Sequence, residues 1–312
     1  MLAIIIGLVI GILLPIQTSV NSRLRSIVGS PFVASFLSFA VGTIFLSLIL
    51  LVSGQGFGFD SSIFQQQPIW IWSGGLLGVI FLTGNILLFP RLGSVQTVIM
   101  PIFGQIVMGL LIDHFGWFNS TVSVLKPWRV FGALLVLLGV VGTVALTDWI
   151  NRRRGKFVIA NRVETGNLNV WRLLGIGTGM MSAMQTAING YLGTVLESAL
   201  KGALVSFVVG IVALLLILLI LRPSVEWRGL SGQPWWIWLG GIIGALFIGG
   251  NVLIVPMVGT GIAVVIVIVG LLCGSLLIDR FGWFGAAKNP VTGIQLVSLL
   301  VMVLGIMMIR LS

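Results

Sequence analysis

The side chains of this 312-residue sequence best placed to do chemistry are amides set in apolar runs: Gln17, Asn21, Asn85, Gln105, Gln185, Asn189 and Asn251. Gln17 and Asn21 are four residues apart, as are Gln185 and Asn189, a spacing that puts each pair on one face of a helix. An amide neither titrates nor attacks; it donates and accepts hydrogen bonds. Among hydrocarbon it costs roughly 1–3 kcal/mol unless it finds a partner or faces water. Two readings therefore stand for these residues: interhelical glue, or the polar lining of a path for a solute. Asp113 and Asp279 are the acids that recur, each followed by x-Phe-Gly-Trp-Phe. Such acids cap a helix end, pair with Lys or Arg, or serve as gating or coupling groups that bind a proton or ion.

Other chemistries lack their residues. No phosphate-binding Gly-rich loop, Ser-His-Asp set or zinc-ligand spacing occurs. His114, the single His, has Arg280 as its counterpart and reads as an interfacial residue rather than a ligand. Cys273, the single Cys, allows no internal disulfide and reads as a small packing residue. An intramembrane enzyme would need clustered acids, His or a metal set, so no catalytic residue, metal or cofactor is expected. ATP-driven transport is not encoded.

The elements that position the amides are written twice. Gln17, Asn21, Ser38, Phe39 and Gly42 recur 168 residues later as Gln185, Asn189, Ser206, Phe207 and Gly210. After a loop two residues shorter in the second copy the offset is 166, matching Trp70, Gly74, Gly78, Asn85, Pro90, Gly93 and Asp113 to Trp236, Gly240, Gly244, Asn251, Pro256, Gly259 and Asp279. The shared residues are the unusual ones, not interchangeable Leu, Ile and Val. Gln105 departs from the repeat, its partner position being Leu271.

With 58% apolar residues, 8% charged residues and a mean hydropathy of +1.18, the chain reads as an integral membrane protein of the all-α class. A span needs about 20 mostly apolar residues. That template is met ten times, at 2–22, 32–52, 69–89, 93–113, 128–148, 172–192, 200–221, 235–255, 259–279 and 290–311. The expected units are a five-helix repeat at 1–148, a basic linker at 149–171 and a second five-helix repeat at 172–312. The short connections leave no room for a soluble catalytic or nucleic-acid-binding domain. Residues 1–16 lack a basic start and read as a span rather than a signal peptide.

The net charge of +10 reports topology rather than nucleic-acid binding. One face collects thirteen Lys and Arg residues, including Arg23, Arg25, Arg91, Arg152, Arg153, Arg154, Arg280 and Lys288. The other holds four, Lys126, Arg129, Lys201 and Arg310. The rich face is expected to be cytoplasmic, with the linker inside and both termini outside the cell membrane. Five spans per copy then make the halves antiparallel, the inverted-repeat architecture of many secondary transporters. Asp113 and Asp279 would fall on opposite membrane faces.

The stretches PIQTSVNSRL, SPFVASFLSFAVGT, PIWIWSGGLLGVIFLTGNILLFPRLGSVQT and the Asp-x-Phe-Gly-Trp-Phe segment resemble the YdcZ family of the drug/metabolite transporter superfamily. The resemblance covers both halves and implies a fused antiparallel pair with a ten-helix drug/metabolite transporter fold. It implies a secondary transporter or facilitator moving a small organic solute by alternating access, and supplies no substrate. Small multidrug exporters of that superfamily carry a Glu in the middle of the first helix, where this chain has Gln17 and neutral neighbours. A neutral or zwitterionic solute is therefore favoured over a proton-exchanged cation. The expected lining is Gln17, Asn21, Asn85, Gln105, Gln185, Asn189 and Asn251 with Phe39 and Phe207, gated or coupled by Asp113 and Asp279. The expected partners are the solute and the lipid bilayer, with no nucleic acid and no obligatory partner subunit. The alternative is a non-transporting sensory or scaffold protein that keeps a transporter-like fold.

Overall fold

The computed structural model describes residues 1–153, 167–288 and 291–310, without the side chains of 144–153, 249, 251–253, 255–256, 258–262 and 310. The side chain of Asn251 and most of the linker at 149–171 thus lie outside the described residues. The described residues form helices α1 (Leu2–Val28), α2 (Pro31–Val52), the short α3 (Ile63–Gln66), α4 (Gly74–Phe115), α5 (Pro127–Arg153), α6 (Leu168–Val195), α7 (Ala199–Leu221), α8 (Leu239–Phe281) and α9 (Gly293–Arg310).

Local chemistry sets the helix ends. Ser30 caps α2 by accepting from the Val33 N–H, with Pro31 opening the helix, and Ser198 caps α7 by accepting from the Lys201 N–H. Gly116 and Gly282, at φ of 65° and 69°, end α4 and α8 in the left-handed conformation that glycine adopts without steric cost. The Gly-Trp-Phe repeat is thus the C-terminal punctuation of two equivalent helices. Phe118 and Phe284 follow, both at φ 57°, held by edge-on contacts to Trp70 and Trp236.

Several boundaries differ from the sequence expectation. The third and fourth expected spans are one run, α4, interrupted at Gly93, whose φ of 76° and ψ of 175° break the helix without a separate loop. The Trp-rich segments Ile69–Trp72 and Trp235–Trp238 are single turns of 3₁₀ helix, not the first turns of α-helices. Trp70 and Trp236 consequently pack inward on the Gly-Trp-Phe turns rather than serving only as an interfacial belt. Finally, α1 continues six residues past position 22, to Val28. Pro15 does not end it, because the helix runs on through both sides.

Packing pairs elements of one copy with elements of the other: α1 lies along α8, α6 along α4, α2 against α7 and α5 against α9. The closest approaches are made through glycine. A side chain at Gly11 would overlap the Val267 carbonyl on α8, and one at Gly179 would overlap Pro101 on α4. Small residues that let backbones approach are how helices associate in hydrocarbon, where the hydrophobic effect gives no drive. The largest apolar core lies where α4, α5, α8 and α9 meet, around Ile99, Val136, Met302 and Ile306.

Five of the described helical stretches are long and apolar enough to cross a membrane: Leu2–Val28, Pro31–Val52, Ile69–Phe115, Ala199–Leu221 and Ala263–Phe281. Large apolar side chains such as Ile44, Leu48, Leu138, Leu219 and Leu300 face outward, more than half exposed. Such a surface is stable in lipid and a liability in water. Cys273 is among the outward residues, so the expectation that it packs inside fails.

Candidate functional site

The duplicated amides meet the duplicated glycines of the other copy. Asn21 lies against Gly240, and Asn189 against Gly74; Gln17 lies against Gly244, and Gln185 against Gly78. In each case a methyl on the glycine would collide with the amide. The Gly-Gly-x-x-Gly pattern therefore provides the groove into which the opposite copy's amides fit, beyond its role in bringing backbones together. Phe39 and Phe207 close the same arrangement, ring centroids 5.0 Å apart, each over the glycine of the other copy, Gly210 and Gly42.

The polar groups are not equally satisfied. Asn189 Nδ2 donates to Ser206 Oγ at 3.1 Å, and Gln105 Nε2 donates to Ser182 Oγ at 3.2 Å, bonds that fit the glue reading. Asn21 is fully buried, and neither its Oδ1 nor its Nδ2 has a hydrogen-bond partner; the Oδ1 atoms of Asn85 and Asn189 are likewise buried without one. Buried amide atoms without partners are rare in proteins and need a reason such as a bound water or ligand. Thr18 Oγ1 donates to Leu14 O at 3.2 Å, and Ser19 Oγ donates to Trp283 O at 3.3 Å, fastening α1 to the Gly-Trp-Phe turn of the second copy.

Gln105 and Asp113 line one cavity of about 40 Å³, room for one or two water molecules, between α4, α8 and α9. The rest of its wall is aliphatic, including Ile102, Ile106, Val264, Ile268 and Ile306. Asp113 Oδ2 pairs with Arg129 Nη2 at 2.8 Å, and Arg129 Nη1 also donates to Ser123 Oγ at 2.7 Å. His114 Nδ1 accepts from the Leu125 N–H at 3.3 Å, which engages it in fixing the same loop.

Asp279 behaves differently although its sequence surroundings are nearly the same. It is buried, and its two carboxylate oxygens accept from the Ser94 N–H at 2.8 Å and the Val95 N–H at 3.1 Å. These are the first amides after the break at Gly93, so Asp279 caps a helix of the other copy. At this end Arg172 Nε donates to Gln96 Oε1, and the Arg91 guanidinium lies over the Trp171 ring. Sequence reasoning missed Ser182, Ser123, Ser94 and the pairing role of Arg129. Of these only Arg129 left a signal, as a charge at the head of an apolar run.

The family model described as "Putative inner membrane exporter, YdcZ" matches residues 2–142 and 170–308. A solved structure described only as "Crystal structure of protein" is similar over 99% of this chain and 97% of its own length, with a TM-score of 0.58 and 17% identity. At that identity the likeness concerns the fold alone. No curated protein matches the sequence.

Proposed function

Because the chain belongs to the YdcZ family, a family of membrane transporters, and is a multi-pass helical membrane protein, we propose that it is a secondary transporter or facilitator of a small organic solute. Ten spans form two inverted five-helix repeats, 1–148 and 172–312, and the path between them opens alternately to either side. The observation that carries this reading is the reciprocal fit of Gln17 and Asn21 on the second copy's glycines and of Gln185 and Asn189 on the first copy's. Two equivalent surfaces that exchange equivalent contacts provide two arrangements of similar energy, which alternating access requires.

The path is lined by Gln17, Asn21, Asn85, Gln105, Gln185, Asn189 and Asn251, with Phe39 and Phe207 where the halves meet. Asn21 and Asn85 carry unpartnered buried amide atoms, as groups held for a solute or its water would. The carboxylate at the cavity, Asp113, is neutralised by Arg129, which favours a neutral or zwitterionic solute over a cation. Arg23, Arg25, Arg91, Arg172 and Arg280 belong to the cytoplasmic end, with the linker, and Asp113, Lys126 and Arg129 to the outer end. The bonds Asn189 to Ser206 and Gln105 to Ser182 favour the second reading, a non-transporting protein whose amides only hold helices together.

Thermal unfolding of the purified protein against a panel of neutral, zwitterionic and cationic solutes tests the proposal. A neutral or zwitterionic solute is expected to raise the midpoint in a saturable manner. Stabilisation by cations alone would overturn the assigned solute class. Uptake into liposomes with and without a pH gradient then separates coupled transport from facilitation.

A further inference from the structure

Equivalent acids hold the two ends of the molecule in different ways. Asp279, at the end of α8, bonds to the Ser94 and Val95 amides of α4 and so ties the second copy to the first. Asp113, its equivalent at the end of α4, pairs with Arg129 of its own copy and also lines the cavity that reaches Gln105. The position equivalent to Arg129 is Gln295, whose Oε1 accepts from the nearby Thr292 N–H at 3.4 Å. One end is thus pinned across the halves by a carboxylate, while the equivalent carboxylate at the other end is paired within one half, beside a small cavity.

We propose that Asp279 is a latch that closes the path at the Arg91 and Arg280 end, and that Asp113 performs the same part at the other end in the opposite state. In that state Asp113 leaves Arg129 and engages the second copy, while Asp279 releases Ser94 and Val95. The inference rests on the alternating-access reading of the two halves and deepens it by naming what holds each end shut. Its physical basis is that α8 cannot swing from α4 at this end without stripping a buried carboxylate of two charge-assisted bonds at a helix N-terminus. Repetition of Gly93 as Gly259 and of Asp279 as Asp113 supplies the same parts at the other end.

The test uses the whole protein in liposomes, in a Cys273→Ser background, with one reporter cysteine at Leu110, beside Asp113, or at its equivalent Leu276, near Asp279. A small water-soluble maleimide is expected to modify Leu110→Cys at least about tenfold faster than Leu276→Cys, since the charge-assisted bonds of Asp279 tie the two halves together whereas that of Asp113 lies within one half. Asp279→Ala should invert that order, raising the rate at 276 and lowering it at 110; Asp113→Ala should leave the original order or sharpen it. Unchanged rates in Asp279→Ala, or rates that rise together at both positions, would overturn the latch. If Asp279→Ala does not yield a monodisperse protein, Asp279→Asn decides, because it keeps one acceptor and should shift both rates in the same senses by a smaller factor. The rates are measured without solute, so unchanged rates beside intact saturable uptake would sink the latch alone. Absence of uptake would sink the transport reading instead.

Discussion

Replacing Asn21 by Leu separates a functional amide from a structural one. Asn21 is fully buried against Gly240 with both amide atoms unpartnered. Each such atom carries a desolvation penalty of about 1–3 kcal/mol, which a leucine of nearly the same shape removes. Against this stands the slightly larger girth of two methyl groups over a glycine, at a cost of about 1 kcal/mol. The net expectation is stabilisation by about 1–5 kcal/mol, with the unfolding midpoint rising by about 2–4 °C for each kcal/mol, and with solute-induced stabilisation and transport lost. Asn189→Leu should gain less, because it relieves one unpartnered oxygen but removes the bond to Ser206 and leaves a buried hydroxyl behind, costing about 1 kcal/mol. Thermal unfolding in detergent, with and without solute, reads both variants. A fall in the midpoint for Asn21→Leu would refute the reasoning, since it would mean that Asn21 contributes to folding through satisfied bonds. Stability gained at the expense of function is the usual signature of a residue retained for activity.

Arg129→Met leaves Asp113 without its counter-ion and should lower stability by about 3 kcal/mol, while Asp113→Asn with Arg129→Met should recover most of that loss; a double-mutant cycle on unfolding midpoints measures it. Gly116→Ala and Gly282→Ala, both at positive φ, should each cost about 1–2 kcal/mol, and unequal losses would show that the two turns are not equivalent. A cysteine at Gly155 in the Cys273→Ser background should react with an impermeant thiol reagent only from the cytoplasmic side; labelling from outside intact cells would invert the topology.

The membrane class was legible in composition, and the two-copy organisation in unusual residue types recurring at a fixed offset. The site's connections were less so. That Asn21 lies on Gly240 and Asp279 on Ser94 depends on how two distant segments cross, and no periodicity along the chain encodes a crossing. The break at Gly93 was readable as a boundary, since Pro90 and Gly93 punctuate the apolar run, but not as a kink within one continuous run. Gln105 against Leu271 was visible as a departure from the repeat, but not that Gln105 lines a cavity with Asp113 and bonds to Ser182. The difference between Asp113 and Asp279 was hidden, because their local sequences are nearly identical and what separates them is Arg129 in place of Gln295, sixteen residues downstream of each.

The most direct test of the central claim is solute flux through the reconstituted protein with both equivalent amides removed. Liposomes carrying the unaltered chain should show saturable flux of a solute that stabilises the purified protein, and Gln17→Ala with Gln185→Ala should abolish the saturation while the protein stays folded. Saturable flux left unchanged in the double variant would contradict the assignment of these amides to the path.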